Sequence, residues 1–163
     1  MINVYVDGGL KNNIMYIAVT SNCKGLFMKY SEEIGVGKIH YAEERALVQA
    51  VRIIKSLTID EEVTIHCDLK SLVDIIKSEV IRFKTYKNYP DVKELKEFFK
   101  NKNCKIKWIS GRDNPAHHLV QDTYIGKFEN SIETKFNKNI IKFNSKAKED
   151  KHSDDILDDL KIV

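Results

Sequence analysis

INVYVDGGLKNNIMYIAVTS, residues 2–21, decides the fold of this chain. Its first part alternates and carries β-branched side chains, GGLKNN at 8–13 supplies turn residues, and IMYIAVTS at 14–21 resumes the strand pattern. Two strands joined by a turn are therefore expected. After NCKG at 22–25, LFMKYS at 26–31 continues as a third strand, so the chain opens with an antiparallel meander. From Tyr41 the period changes. Ala42, Ala46, Leu47, Ala50, Ile53, Ile54 and Leu57 fall on one helical stripe with Gln49, Arg52 and Lys55 off it, which predicts a long helix packed on a sheet.

EEVTIHCD at 61–68 returns to strand, LKSLVDIIKS at 69–78 reads as helix, and DVKELKEFFKNK at 91–102 is an amphipathic helix with Pro90 and Asp91 at its start. CKIKWIS at 104–110 is a last strand. Asn114 then reads as an N-cap with Pro115 in the first helical position, and Leu119, Val120 and Thr123 follow. A meander followed by alternating helix and strand predicts an α/β fold with a five-stranded mixed sheet. Three of its strands are antiparallel, two more are added parallel to the first by right-handed crossovers, and helices flank it. Sheets of this kind carry their chemistry at the carboxyl ends of the parallel strands.

With 163 residues and 42% hydrophobic content the chain can bury one good core. Residues 1–125 are expected to form that domain, 126–145 a C-terminal helical extension, and 146–163 a charged, mobile tail. The extension carries Phe128, Ile132, Phe136 and Ile140 at successive fours, the spacing of a helix laid on the domain or offered to a protein partner. In the tail, four lysines face six acids, which leaves +5 on the body out of an overall +3, and Ile156, Leu157 and Leu160 suggest a short helix there. A basic body suits a polyanionic partner. No long apolar run and no signal-peptide pattern occurs, so a cytoplasmic monomer with no membrane partner is expected. Cys23, Cys67 and Cys104 are far apart and form no CxxC pair, which argues against a disulfide framework or a zinc knuckle.

Asp7 ends the first strand, Asp68 ends the fourth, and Glu43 sits in the first turn of the helix that crosses the sheet beside them. Singly, such residues are ordinary turn formers or helix-dipole complements. Jointly they form a cluster of like charges, which persists most readily around a divalent cation, and hard carboxylate oxygens favour Mg²⁺ or Mn²⁺ over zinc.

These residues resemble a known family. VYVDGG at 4–9 is similar to the opening strand of ribonuclease H, AEERAL at 42–47 to the start of its first long helix, CDLKSLV at 67–73 to its D-S-x-x-L-V strand end, and GRDNPAHHLV at 111–120 to its closing helix. The order agrees over residues 2 to about 124. The resemblance implies a ribonuclease H-like fold of type 1. It also implies a two-metal site in which Asp7 bridges two Mg²⁺ or Mn²⁺ ions while Glu43 and Asp68 complete their shells. Glu44 competes with Glu43; the offsets to Ala42, Ala46 and Leu47 favour Glu43, with Glu44 turned about 100° away toward solvent. In the family's closing helix the fourth active-site residue is an Asp, and His117 stands on that position here with His118 on the solvent side. An imidazole can bind metal or exchange protons near neutral pH, so His117 joins the candidate ligands and catalytic residues. Asp113 and Asp122 remain alternatives.

Arg82, Lys84 and Lys87 interleave with Phe83, Tyr86 and Tyr89 in the stretch EVIRFKTYKNYP at 79–90, a pattern suited to phosphates and sugars or to anchoring a loop. Lys11, Asn12 and Asn13, beside Asp7, are further candidates for contacting the RNA strand. The resemblance implies hydrolysis of the RNA strand of RNA/DNA hybrids, leaving 5′-phosphate and 3′-hydroxyl ends. A catalytically weakened module that binds nucleic acid or protein, and a nuclease of the same fold acting on DNA, are the alternatives.

Overall fold

The computed structural model describes residues 1–23, 25–57, 59–80, 82–124, 130–134, 139–143 and 160–162. The meander is β1 (Ile2–Lys11), β2 (Ile14–Cys23) and β3 (Leu26–Val36). Gly8 and Gly9 stay inside β1; the turn falls on Asn12 and Asn13, whose φ of 53° and 62° are the left-handed values that a two-residue hairpin turn requires and asparagine tolerates. Helix α1 (Ile39–Ser56) crosses to β4 (Val63–Cys67). The chain continues through α2 (Lys70–Lys77), α3 (Phe83–Asn88) and α4 (Val92–Phe99) to β5 (Cys104–Trp108). A 3₁₀ turn at Gly111–Asp113 leads into α5 (Pro115–Tyr124).

β4 runs parallel to β1 and β5 parallel to β4, while β2 pairs antiparallel with both β1 and β3, as expected. The C-terminal extension departs from the expected helix. β6 (Ser131–Thr134) and β7 (Asn139–Phe143) are strands, and β8 (Leu160–Ile162) pairs with β7 inside the tail expected to be mobile. Among the described residues the sheet therefore has eight strands in the order β5-β4-β1-β2-β3-β6-β7-β8, not five. A spacing of four satisfies a strand's period of two as well as a helix's turn. The unpaired edge of β3 supplied the hydrogen-bonding partner that settled it: Met28 faces Ile132, which is fully buried. Of the tail helix expected around Ile156, Leu157 and Leu160, Leu160 lies in β8; Ile156 and Leu157, like Phe128 and Phe136, fall outside the described residues.

Two apolar layers hold the sheet. Ile2, Val4 and Val6 of β1 join α1, α2 and α4 in the main core, while Ala18, Tyr5 and Tyr16 pack against Ala116, Leu119, Val120 and Tyr124 of α5. Helix α1 is buried on more than its predicted stripe, since Glu44, Arg45 and Gln49 are also inside. The start of α4 covers that side: Arg45 Nη1 lies 2.9 Å from Asp91 Oδ2, and the Asp91 N–H donates to Glu44 Oε1 at 3.4 Å. No described helix is long and apolar enough to cross a membrane. All three cysteines are free thiols.

Candidate metal centre

β1 brings Asp7 to the carboxyl end of the parallel strands, and Asp68 follows directly on β4. Glu43 reaches them because Gly8 has no side chain. A Cβ there would lie on the backbone of Ala42 and Glu43, well inside van der Waals contact, so glycine is what lets α1 settle against β1. On the other face Gly9 leaves room in the same way for Val120 and Tyr124 of α5. Asn114, buried, fixes the start of α5 to β1: its Nδ2 donates to the Val6 carbonyl at 2.8 Å, and its Oδ1 caps the helix by accepting from the Ala116 N–H at 3.1 Å.

Carboxylate oxygens of Asp7, Glu43 and Asp68 all lie within 4.8 Å of one another. Asp7 and Glu43 are buried. Burial raises the Asp7 pKa to about 6, the Asp68 charge adds to it, and the hydrogen bond from His117 works against it. Burial, then the charges of Asp7 and Asp68, push Glu43 up to about 10, partly offset by the Gly8 N–H. Neighbouring carboxyls in a low-dielectric site resist ionisation together, and a bound cation reverses that. One oxygen bears directly on the fit: Glu43 Oε2 is buried and has no hydrogen-bond partner. An orphaned anionic oxygen among two further carboxylates, with no thiolate in the set, suits a hard divalent cation such as Mg²⁺ or Mn²⁺.

His117 touches this cluster through Asp7. Its Nδ1 lies 3.0 Å from Asp7 Oδ2, and its Nε2 lies 3.3 Å from Gln121 Nε2. Since the amide nitrogen can only donate, both contacts are satisfied by a neutral ring protonated on Nδ1. His118 is exposed. Asp113 turns to its own loop, accepting from Ser110 Oγ at 2.8 Å. Glu44 does not face solvent as its place on the helical wheel predicts; it is fully buried against the start of α4, and burial followed by the Asp91 charge raises it to about 8.

The chain just past α3 meets α1, where the Tyr89 ring stacks on His40 and Asp91 is tied to Arg45 and Glu44, while Arg82 is exposed ahead of α3. Lys84 and Lys87 are exposed on α3, as is Tyr86, whereas Tyr89 is buried, with its hydroxyl 3.3 Å from Ser71 Oγ and its ring stacked on His40. Tyr89 is thus an anchor. Lys11, Asn12 and Asn13 sit at the exposed hairpin tip; Lys11 Nζ lies 5.4 Å from the Tyr124 ring centroid. Sequence reasoning missed Gly8, Gln121, Asn114's tie to β1, and Trp108, whose indole N–H donates to the Asp68 carbonyl at 3.0 Å. Only the paired glycines gave a signal, and it read equally well as a turn.

A meander extended by two parallel strands, with acids at their carboxyl ends, defines a ribonuclease H-like α/β protein. A family profile described as reverse transcriptase-like matches residues 6–123, and the chain belongs to that family. Among solved structures, LC11-RNase H1 in complex with an RNA/DNA hybrid aligns at 21% identity over 75% of this chain and 95% of that one, with a TM-score of 0.61. RNase H1 from the halophilic archaeon Halobacterium salinarum NRC-1 aligns at 17% identity over 77% and 98%, with a TM-score of 0.60. The N-terminal RNase H domain of a Mycobacterium tuberculosis protein aligns at 19% over 78% and 96%, at 0.54. No curated protein sequence matches the chain.

Proposed function

We propose that this protein is a metal-dependent endonuclease that hydrolyses the RNA strand of RNA/DNA hybrids. The observation that carries the reading is the convergence of Asp7, Glu43 and Asp68 within 4.8 Å, with a buried Glu43 oxygen left unbonded. These three residues would hold two Mg²⁺ or Mn²⁺ ions, which when bound activate water and stabilise negative charge on the phosphate. The chain's own groups orient and feed that chemistry. His117 Nδ1–H fixes the Asp7 carboxylate in one orientation while Gln121 steadies the far side of the ring, and an imidazole so placed can relay a proton as the leaving oxygen departs. Arg82, Lys84 and Lys87 around α3, and Lys11, Asn12 and Asn13 at the β1–β2 hairpin, would supply cations and donors for the bound nucleic acid. The structural likeness to a ribonuclease H1 crystallised with an RNA/DNA hybrid supports the choice of substrate.

A second reading has one observation in its favour: an imidazole, His117, bonds Asp7 at the position where the resemblance puts a fourth acid, which would leave three carboxylates rather than four to hold cations. On that reading the protein binds nucleic acid without cutting it. Incubation of an end-labelled RNA/DNA hybrid with Mg²⁺ or with Mn²⁺, beside Asp7→Asn, separates the two. Cleavage in the parent and none in Asp7→Asn is expected. A hybrid bound but left intact with either metal, and then cut by His117→Asp, would establish the binding module instead.

A further inference from the structure

Trp108 stands half exposed, at 51%, beside an acid of the metal centre. A half-exposed indole leaves a large apolar face open to a contact. Its placement is rigid. Trp108 is the last residue of β5 and pairs in register with Cys67, the residue before Asp68, and its indole N–H donates to the Asp68 carbonyl at 3.0 Å. The next peptide is fixed too, since the Ile109 N–H donates to the Cys67 carbonyl at 3.0 Å. The chain then wraps the same acid from another side: a Cβ on Gly111 would come within 3.2 Å of Asp68 Oδ2. The segment 108–111 therefore borders Asp68 at both its peptide and its carboxylate. Arg112, which follows this segment, and Lys70, two residues past Asp68, are both exposed.

We infer that Trp108 is a substrate-contacting residue, an aromatic wall at the lip of the metal centre that packs its free ring face on a nucleotide of the bound nucleic acid. The inference rests on the reading of the site as one that acts on nucleic acid. An indole offers a flat apolar face that tolerates any base or sugar, and neighbouring cations supply the phosphate contacts that stacking alone lacks. The N–H latch to Asp68 holds the ring in one pose before substrate arrives, so little ordering entropy remains to be lost on contact. The latch also ties that pose to the peptide of a metal acid.

Trp108 is the sole tryptophan in the chain, so red-edge excited emission reports this ring and no other. The Asp7→Asn protein, chosen to prevent cleavage, is titrated with an RNA/DNA hybrid carrying an anisotropy label, and both signals are followed. Expected are emission quenching that saturates together with anisotropy, binding by Trp108→Ala weakened roughly tenfold, and binding by Trp108→Phe within about threefold of the parent. Saturating anisotropy with unchanged emission would overturn the contact while leaving the nucleic-acid reading intact. Unchanged affinity in Trp108→Ala would do the same. No anisotropy change at any hybrid concentration would overturn both. Should Trp108→Ala fail to fold, the emission titration on the unaltered ring still decides.

Discussion

Glu43 is held among two other carboxylates in a place where its charge is poorly solvated, so without a cation its ionisation works against the fold. A carboxyl whose folded pKa is raised binds its proton more tightly folded than unfolded; the resulting stability is full at low pH and is lost as pH rises through the folded value. For Asp7 that loss runs from the ordinary 3.8 to about 6, and for Glu43 from 4.5 to about 10. In chelator the protein is therefore expected to melt at progressively lower temperature between about pH 4 and pH 8. Glu43→Gln should flatten that profile and raise metal-free stability near pH 8 by on the order of 1 kcal/mol. The same variant should lose most of the thermal shift that Mg²⁺ or Mn²⁺ produces in the parent, because it removes the unbonded oxygen. Thermal melts across pH, with chelator and with each metal, read all three effects. Equal pH profiles for parent and variant would mean that Glu43 is not the strained member of the cluster.

Elements carry these residues to one point, and the element scale is where the sequence was most and least readable. Apart from α3, which forms within a stretch read as a contact loop, the order of strands and helices through Tyr124, the Asn114 cap and the positions of Asp7, Glu43 and Asp68 follow from periodicity and from the acids' places at strand and helix ends. What escaped was contact between elements. Glu44 lies off the apolar stripe, and a helical wheel sends it to solvent; only the docking of α4 through Asp91 and Arg45 buries it. Gly8 and Gly9 read as turn formers, yet they remain in β1 as the places where α1 and α5 approach it from opposite faces. That distinction is testable. A turn glycine replaced by alanine suffers backbone strain alone, whereas Gly8→Ala must push away the backbone of Ala42 and Glu43, which cannot rotate aside. We expect it to cost about 1–3 kcal/mol in denaturant unfolding and, by lifting Glu43 off the site, to diminish the metal-induced thermal shift. Gly9→Ala meets the Val120 and Tyr124 side chains, which can adjust, so its loss of stability should be smaller and the metal response largely kept.

At the scale of the whole molecule the sheet has two ends with different duties. β1 carries Asp7, β4 leads into Asp68 and β5 carries Trp108, while β3 would present a bare edge were it not paired by β6. An uncovered strand edge with apolar side chains is a template for self-association. Here Leu26, Met28 and Tyr30 of β3 are buried, as is Ile132 opposite Met28, and Asn130 Oδ1 accepts the Ser31 N–H at 2.7 Å where the pairing ends. Residues 1–125, which by composition and motif read as a complete domain, thus depend on the extension for one edge. A chain ending at Tyr124 should lose about 2–3 kcal/mol from the exposure of the β3 face that Ile132 covers and of the residues around it, and should self-associate as protein concentration rises. Its acid cluster, separated from that edge by β2, should still give a metal-induced thermal shift close to the parent's. Denaturant unfolding and size-exclusion chromatography of the shortened chain, each with and without Mg²⁺, check this. A monomeric, equally stable product would show that β6 merely lies against the domain. Loss of the metal response together with stability would show that the two ends of the sheet are one cooperative unit, with the extension supporting the site from three strands away.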